Sequence, residues 1–277
     1  MFDQHVLNLG EANYFETLSN SFYYSSEFVG RRGGILVKCD VDKSVPIIRT
    51  TTPYTQGPCV FDQVHMNIIK QIHNIHNIDD TYSDNQMQFN NAMIEHYTKE
   101  YRKMKFHTDQ SLDLEDESVI CLFSCYKNPS TTNTRTLVVR NKKSGETQRH
   151  ILHHNSVILF TTKTNKEHVH KIVLEQTKLK SKINENLDAE WIGITFRVSK
   201  TFVTPSTTNS PCYFITRDNG NIKESENRIL RLATEQERVE FLKLKGCENI
   251  EQDFVYPKLD YTLSPSDLMP VRDYTNK

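Results

Sequence analysis

The sequence predicts a mainly β protein of the α+β kind: a sandwich- or barrel-like core, helices ahead of it and a helical arm behind. Three observations carry this. Seven short runs rich in Val, Ile, Phe, Thr and Tyr follow one another from Phe89 to Val203, with turn-forming stretches such as 127–133 and 141–146 between them. Two segments before them space apolar residues as a helix does, and one capped helical segment follows. At 277 residues the chain can bury a sizeable core without disulfide or metal staples.

In order along the chain, Tyr14, Phe15, Leu18 and Phe22 fall on one face of a short helix over 11–22. Gly30, Gly33 and Gly34 interrupt the chain, 35–41 reads as a strand, and Pro46 with the residues after it as a short extended piece. Val64, Ile68, Ile69, Ile72 and Ile75 predict a second helix within 62–77. The seven runs are 89–97, 118–126, 134–141, 148–154, 156–162, 168–174 and 191–198, and 172–186 ends in a hydrophilic loop. A Ser/Thr/Pro stretch at 204–211 reads as a linker. Thr234 and Glu237 then form a capping box, with Val239, Phe241, Leu242 and Leu244 on the apolar side and Gly246 as the stop. Pro257, Pro265 and Pro270 mark an irregular tail packed on the body. The organisation expected is an N-terminal helical region over 1–88 in the same domain as a core over 89–203, then an extension over 204–277 with one helix.

Composition narrows the class. The six cysteines include no CxxC pair, which fits reduced thiols. No run approaches the roughly 20 apolar residues that span a bilayer, and the first residues lack a basic segment followed by an apolar one. The expectation is a cytoplasmic or nuclear protein with no membrane contact. A net charge of −1 argues against wrapping nucleic acid by bulk charge, although a local basic patch would still serve.

The chemistry begins at His107-Thr108-Asp109. On a strand, residues i and i+2 share a face, so imidazole and carboxylate converge. His170 lies in one later strand and Arg197 in another. An HxD pair alone recurs by chance; followed by a strand His and a strand Arg in a β-rich chain, it is far more specific. Two His and one carboxylate form the facial triad of non-haem Fe(II) oxygenases, with positions left open for a chelating 2-oxo acid and O2. A buried Arg suits the far carboxylate of that acid, because its planar fork pairs bidentately. His168 and His170 share a strand face, so period alone does not choose between them.

Over about 11–203 the chain resembles the AlkB-like Fe(II)/2-oxoglutarate dioxygenases. The helix at 11–22 looks like that family's leading helix. Pro46, then Arg49 to Tyr54 with an Arg-to-Tyr offset of five, look like its substrate-side segment. Residues 89–97 are similar to its Phe-Asn…Asn-Arg-Tyr strand, and His107 and Asp109 follow Tyr97 by ten and twelve residues. Ile194 to Arg197 match its closing Leu-Thr-Phe-Arg. The resemblance implies a double-stranded β-helix (jelly-roll, cupin-like) core and Fe(II) held by His107, Asp109 and His170. It implies 2-oxoglutarate as co-substrate on Arg197 and Tyr97, O2 as oxidant, and Arg49 and Tyr54 facing the substrate. It further implies oxidative demethylation or hydroxylation of a base in single-stranded or flipped-out nucleic acid. The same core elsewhere hydroxylates proteins or small molecules, and a decayed scaffold would serve as a binding module.

Three positions depart from the pattern. Glu95 and His96 stand where the family has Asn and Arg, and Trp191 replaces its second carboxylate-binding Arg. An anion at 95 beside a co-substrate carboxylate is unfavourable, so the site needs a further cation that the sequence does not assign. Lys99, Arg102, Lys103 and Lys105, with Tyr101 and Phe106 among them, read as a phosphate-contacting patch or an ordinary solvated hairpin. His73 and His76 read as a helix surface, and Cys121 and Cys125 as small core residues.

Overall fold

The computed structural model describes residues 1–273 except 11–13, 22–23, 40–42, 80–81, 103, 131–132, 176–188, 206–209 and 219–220. Lys103 and most of the expected 172–186 loop therefore lie outside the described residues. The strands are β1 (Asp3–Val6), β2 (Ser25–Phe28), β3 (Arg31–Val37), β4 (Val45–Ile47), β5 (Cys59–Val60), β6 (Asn91–Tyr97), β7 (Val119–Tyr126), β8 (Arg135–Asn141), β9 (Thr147–Leu152), β10 (Ser156–Thr161), β11 (His168–Leu174), β12 (Trp191–Arg197), β13 (Thr201–Val203), β14 (Cys212–Asp218), β15 (Asn221–Leu232) and β16 (Tyr261–Thr262). The helices are α1 (Tyr14–Ser21), α2 (Gln63–Asp79), α3 (Thr162–Glu167) and α4 (Glu235–Glu248).

The chain alternates between two facing sheets. The larger runs β1-β10-β7-β12-β6-β3-β2, with β5 beside β3; the smaller runs β11-β8-β9. An antiparallel bridge between His107 and His170 adds the segment after β6 to the edge of the smaller sheet. From β6 to β12 this is the double-stranded β-helix, a jelly-roll core. Side-chain alternation divides its apolar residues between two layers. Leu122, Leu137, Phe160, Ile172, Tyr97 and Trp191 fill the space between the sheets. Ala92, Ile94, Cys121, Phe123, Cys125 and Ile194 point the other way, against Phe15 and Leu18 of α1 and Ile68, Ile69 and Ile72 of α2. With apolar matter on both faces, all eight residues of β7 are buried. This is why Val119–Tyr126 reads as a continuous apolar run rather than an alternating one.

Some expectations change. The extension after 203 carries more than a helix: β14 and β15 form an antiparallel pair in a third sheet, β16-β15-β14-β13-β4. Their charged, alternating sequence hid that hairpin. The capping box at Thr234 and Glu237 is present, but the helix continues past Gly246 to Glu248 and is capped at Asn249. The N-terminal Asp3–Val6 strand, too short and polar to stand out, pairs with β10.

Candidate active site

The bridge between His107 and His170 sets the site. Their backbones exchange two hydrogen bonds, His107 N to His170 O at 3.0 Å and His170 N to His107 O at 2.7 Å. Directly paired residues place their side chains on one face, and the two rings lie 4.6 Å apart. Asp109, two residues on, comes back to the same face, with Oδ1 3.5 Å from His170 Nε2. One ligand atom from each of His107, Asp109 and His170 lies within 4.8 Å of the others. That donor set fits a divalent transition metal with open positions. His170 is the histidine in this cluster. The His168 ring donates instead to the Thr164 carbonyl at 2.8 Å, one helical turn back in α3.

The electrostatics favour ligation. His107 Nδ1 donates to the Lys105 carbonyl at 3.1 Å, leaving the Nε2 lone pair for a metal. Burial and the neighbouring His170 push His107 down to about 3, so it is neutral over the working range. Burial alone would raise Asp109, but the Arg197 guanidinium, His170 and His107 together outweigh it and hold the carboxyl well below the usual carboxylate range. Arg197 donates Nε and a terminal nitrogen to Asp109 Oδ2 at 2.9 and 2.7 Å.

Other residues hold the Thr108–Asp109 backbone. The Asn165 side chain grips Asp109 on both sides, accepting from its N–H at 2.9 Å and donating to its carbonyl at 2.7 Å. Asn249, the cap of α4, accepts from Thr108 N at 2.8 Å. Lys245 donates to the Thr108 carbonyl. Glu248 accepts from Ser111 N and Oγ at 2.8 and 2.7 Å. None of these carries a local signal, since each acts across 56 to 141 residues of sequence.

The remaining expected residues divide. Arg197 lines the cavity beside the triad, together with Met93, Glu95, Leu122, Leu137 and Thr195. Tyr97 lies inside the barrel, but its hydroxyl donates to Glu95 Oε2 at 2.5 Å. Glu95 also accepts from Arg31 Nε at 2.7 Å, so Arg31 neutralises the unexpected anion. Trp191 lays its indole over Gly193, where a Cβ would stand 2.1 Å from the ring, and donates Nε1–H to Ser124 Oγ at 2.6 Å.

Arg49 and Tyr54 are not at the triad. Arg49 is buried, donating Nε and a terminal nitrogen to Asp113 at 2.9 and 2.7 Å and its other nitrogen to the Leu259 carbonyl at 2.8 Å. Tyr54 is 1% exposed in the layer with Ile35, Val45, Ile47 and Val203. Arg49's donors are taken up by Asp113 and a backbone carbonyl, whereas the buried Tyr54 hydroxyl lies toward Arg31 and Glu95.

A double-stranded β-helix carrying two His and one carboxylate at its mouth, with a buried Arg on the carboxylate, defines a non-haem iron oxygenase of the 2-oxo-acid class. The family model for the 2OG-Fe(II) oxygenase superfamily matches residues 43–197, and the chain belongs to that superfamily. Its members are oxidoreductases that use Fe(II), 2-oxoglutarate and O2. Among solved structures, the chain is similar to "The structure of OsALKBH1" at 13% identity and a TM-score of 0.39, over 61% of this chain and 78% of that one. It is also similar to a Pseudomonas putida prolyl-4-hydroxylase at 11% identity and a TM-score of 0.41, over 71% of this chain and 92% of that one. No curated protein matches. No helix among the described residues is long and apolar enough to cross a membrane.

Proposed function

We propose that His107, Asp109 and His170 hold Fe(II), that Arg197 and Tyr97 receive 2-oxoglutarate, and that the enzyme oxidises a nucleic-acid base in the AlkB-like manner. The observation that carries the metal reading is the convergence of three ligand atoms within 4.8 Å, with a cation already on the carboxylate. Bound there, Fe(II) with 2-oxoglutarate and O2 supplies the oxidising power to hydroxylate a C–H bond, such as one in an N-methyl group that then leaves as formaldehyde. The chain's own residues position and tune. His107 stays neutral as a ligand, Asp109 stays ionised, and Asn165 fixes the carboxylate's backbone. His107→Ala should remove one tight Fe(II) site while circular dichroism stays that of the wild type. A variant that still takes up one Fe(II) at wild-type affinity overturns the assignment.

The substrate reading rests on the surface beside the triad. Phe106 precedes His107 and so faces the opposite way, and its ring carries the Arg140 guanidinium at 4.3 Å and the Lys171 ammonium at 4.5 Å. An aromatic platform flanked by cations suits a stacked base and its phosphates. Single-stranded DNA or RNA should bind with a shallow salt slope set by a few contacts. Arg140→Glu with Lys171→Glu should flatten that slope and leave 2-oxoglutarate binding unchanged. If no single-stranded oligonucleotide binds at low salt, a protein or small-molecule substrate replaces this reading.

A further inference from the structure

Among the described residues, the barrel interior holds two buried arginines, Arg135 and Arg197, and the partly buried Arg31. Arg197 is matched by Asp109 and Arg31 by Glu95. Arg135, at the start of β8, is 0% exposed and has no carboxylate within ion-pair distance among the described residues. Its two terminal nitrogens donate to the Tyr101 and Thr98 carbonyls at 2.8 Å each, and its Nε has no acceptor among the described residues. The Tyr97 ring lies 4.9 Å from the guanidinium carbon and the Trp191 ring 5.8 Å. Aromatic faces compensate only part of the loss of water around a cation. Burial accordingly pulls Arg135 down to about 10. Counted with Glu95 and Asp109, these arginines leave the interior one positive charge in excess before any metal enters, a demand for an anion the described residues do not supply.

The position of that cation is informative. Leu137 lines the cavity beside the triad, and Arg135, two residues away, shares its inward face. Across from it stands Trp191, where the resemblance places an arginine for the co-substrate carboxylate. The larger sheet lacks an arginine at position 191, and the smaller sheet holds one, Arg135, without a counter-ion among the described residues. We propose that Arg135 takes the far carboxylate of 2-oxoglutarate, in place of the strand arginine that is Trp191 here. This rests on the reading that the triad and Arg197 receive 2-oxoglutarate, and it moves the far carboxylate from Arg197, where the sequence reading puts it, to Arg135. The cavity is about 30 Å³, room for one or two waters, so a five-carbon diacid seats only when the floor yields. The Trp191 indole, which rests on Gly193 and lies 5.8 Å from the Arg135 guanidinium carbon, is the group that must move to join the cavity to Arg135.

Trp191 is the chain's one tryptophan, so its fluorescence reports the event without turnover. The full-length protein, loaded with Mn(II) as a redox-silent metal, is titrated with 2-oxoglutarate and with 2-oxopentanoate. The second acid has the same chain length and lacks only the far carboxylate. Wild type should bind 2-oxoglutarate about 100-fold more tightly, roughly 2.7 kcal/mol. Arg135→Met should bring the two acids within a few-fold by weakening 2-oxoglutarate alone. Should that variant fail to fold, Arg135→Lys keeps the charge but cannot hold both carbonyls and a carboxylate, and should lose about tenfold in the same ratio. A soluble variant with the wild-type ratio, or one that weakens both acids equally, overturns the assignment, since a merely structural role moves both alike. If wild type takes Mn(II) but neither acid, the co-substrate reading of Arg197 falls and this proposal falls with it.

Discussion

Two buried arginine–aspartate pairs stand among the described residues, and they differ in what they leave over. Arg49 and Asp113 close on each other. The guanidinium uses both carboxylate oxygens, the Arg49 backbone N–H adds a contact to Oδ2 at 2.8 Å, and Thr201 adds one to Oδ1 at 2.7 Å. Arg197 and Asp109 meet differently. Both contacts fall on Oδ2, so Oδ1 is left facing His170. A carboxylate with every oxygen engaged is a staple, whereas one with a spare oxygen beside two imidazoles is a ligand. The residue types and burial are the same in both, and the distribution of donors separates structure from chemistry.

The sharpest way to break that comparison is Arg49→Met. It leaves Asp113 buried without its partner and frees the Leu259 carbonyl, so stability should fall by about 3–5 kcal/mol in urea titration. Metal affinity of the folded fraction should not change. A loss under about 1 kcal/mol would show the pair to be dispensable.

A neighbour of the same staple supplies the pH test. Burial, reinforced by Asp113, pushes the Asp267 carboxyl up to about 7, against Thr262 and Arg49, which lower it. The folded state therefore holds this proton more tightly than the unfolded chain does. Stability is favoured below about pH 4 and falls as pH rises toward 7, by roughly 4 kcal/mol. Asp267→Asn should flatten the dependence of the urea midpoint between pH 5 and 8. If the variant's pH profile superimposes on the wild type's, Asp267 is not the group responsible.

The smallest effect sharpens the ligand side. Asn165→Ala removes both contacts to the Asp109 backbone without touching a ligand atom. Mn(II) affinity measured by calorimetry should drop about tenfold, as for other groups that orient metal ligands. An unchanged affinity would mean that Arg197 alone fixes Asp109.

The parts readable in the sequence were those carried by short covalent distances. Strand alternation joined His107 to Asp109, apolar runs located β6 to β12, and Thr234 with Glu237 marked the start of α4. The His107–His170 pairing was readable only as an order of residues; the bridge gave it geometry. Arg49 escaped because its partners lie 64 and 210 residues away, and an arginine beside a proline and a tyrosine looks the same whether it meets a substrate or a backbone carbonyl. Glu95 looked hostile to a co-substrate until Arg31, from a strand paired with its own, was placed on it.

The last quarter of the chain bears on portability. A fragment ending at Val203 would include every candidate ligand and the whole barrel. It would lack Asn249 and Lys245, which satisfy the two backbone groups of Thr108 between the first two ligands, and Glu248, which holds Ser111. Such a fragment would carry the donors with Asp109 still held by Asn165 but Thr108 and Ser111 without their contacts to α4. Moving this centre onto another scaffold, or trimming the protein to a minimal catalyst, therefore requires taking α4 along with the triad.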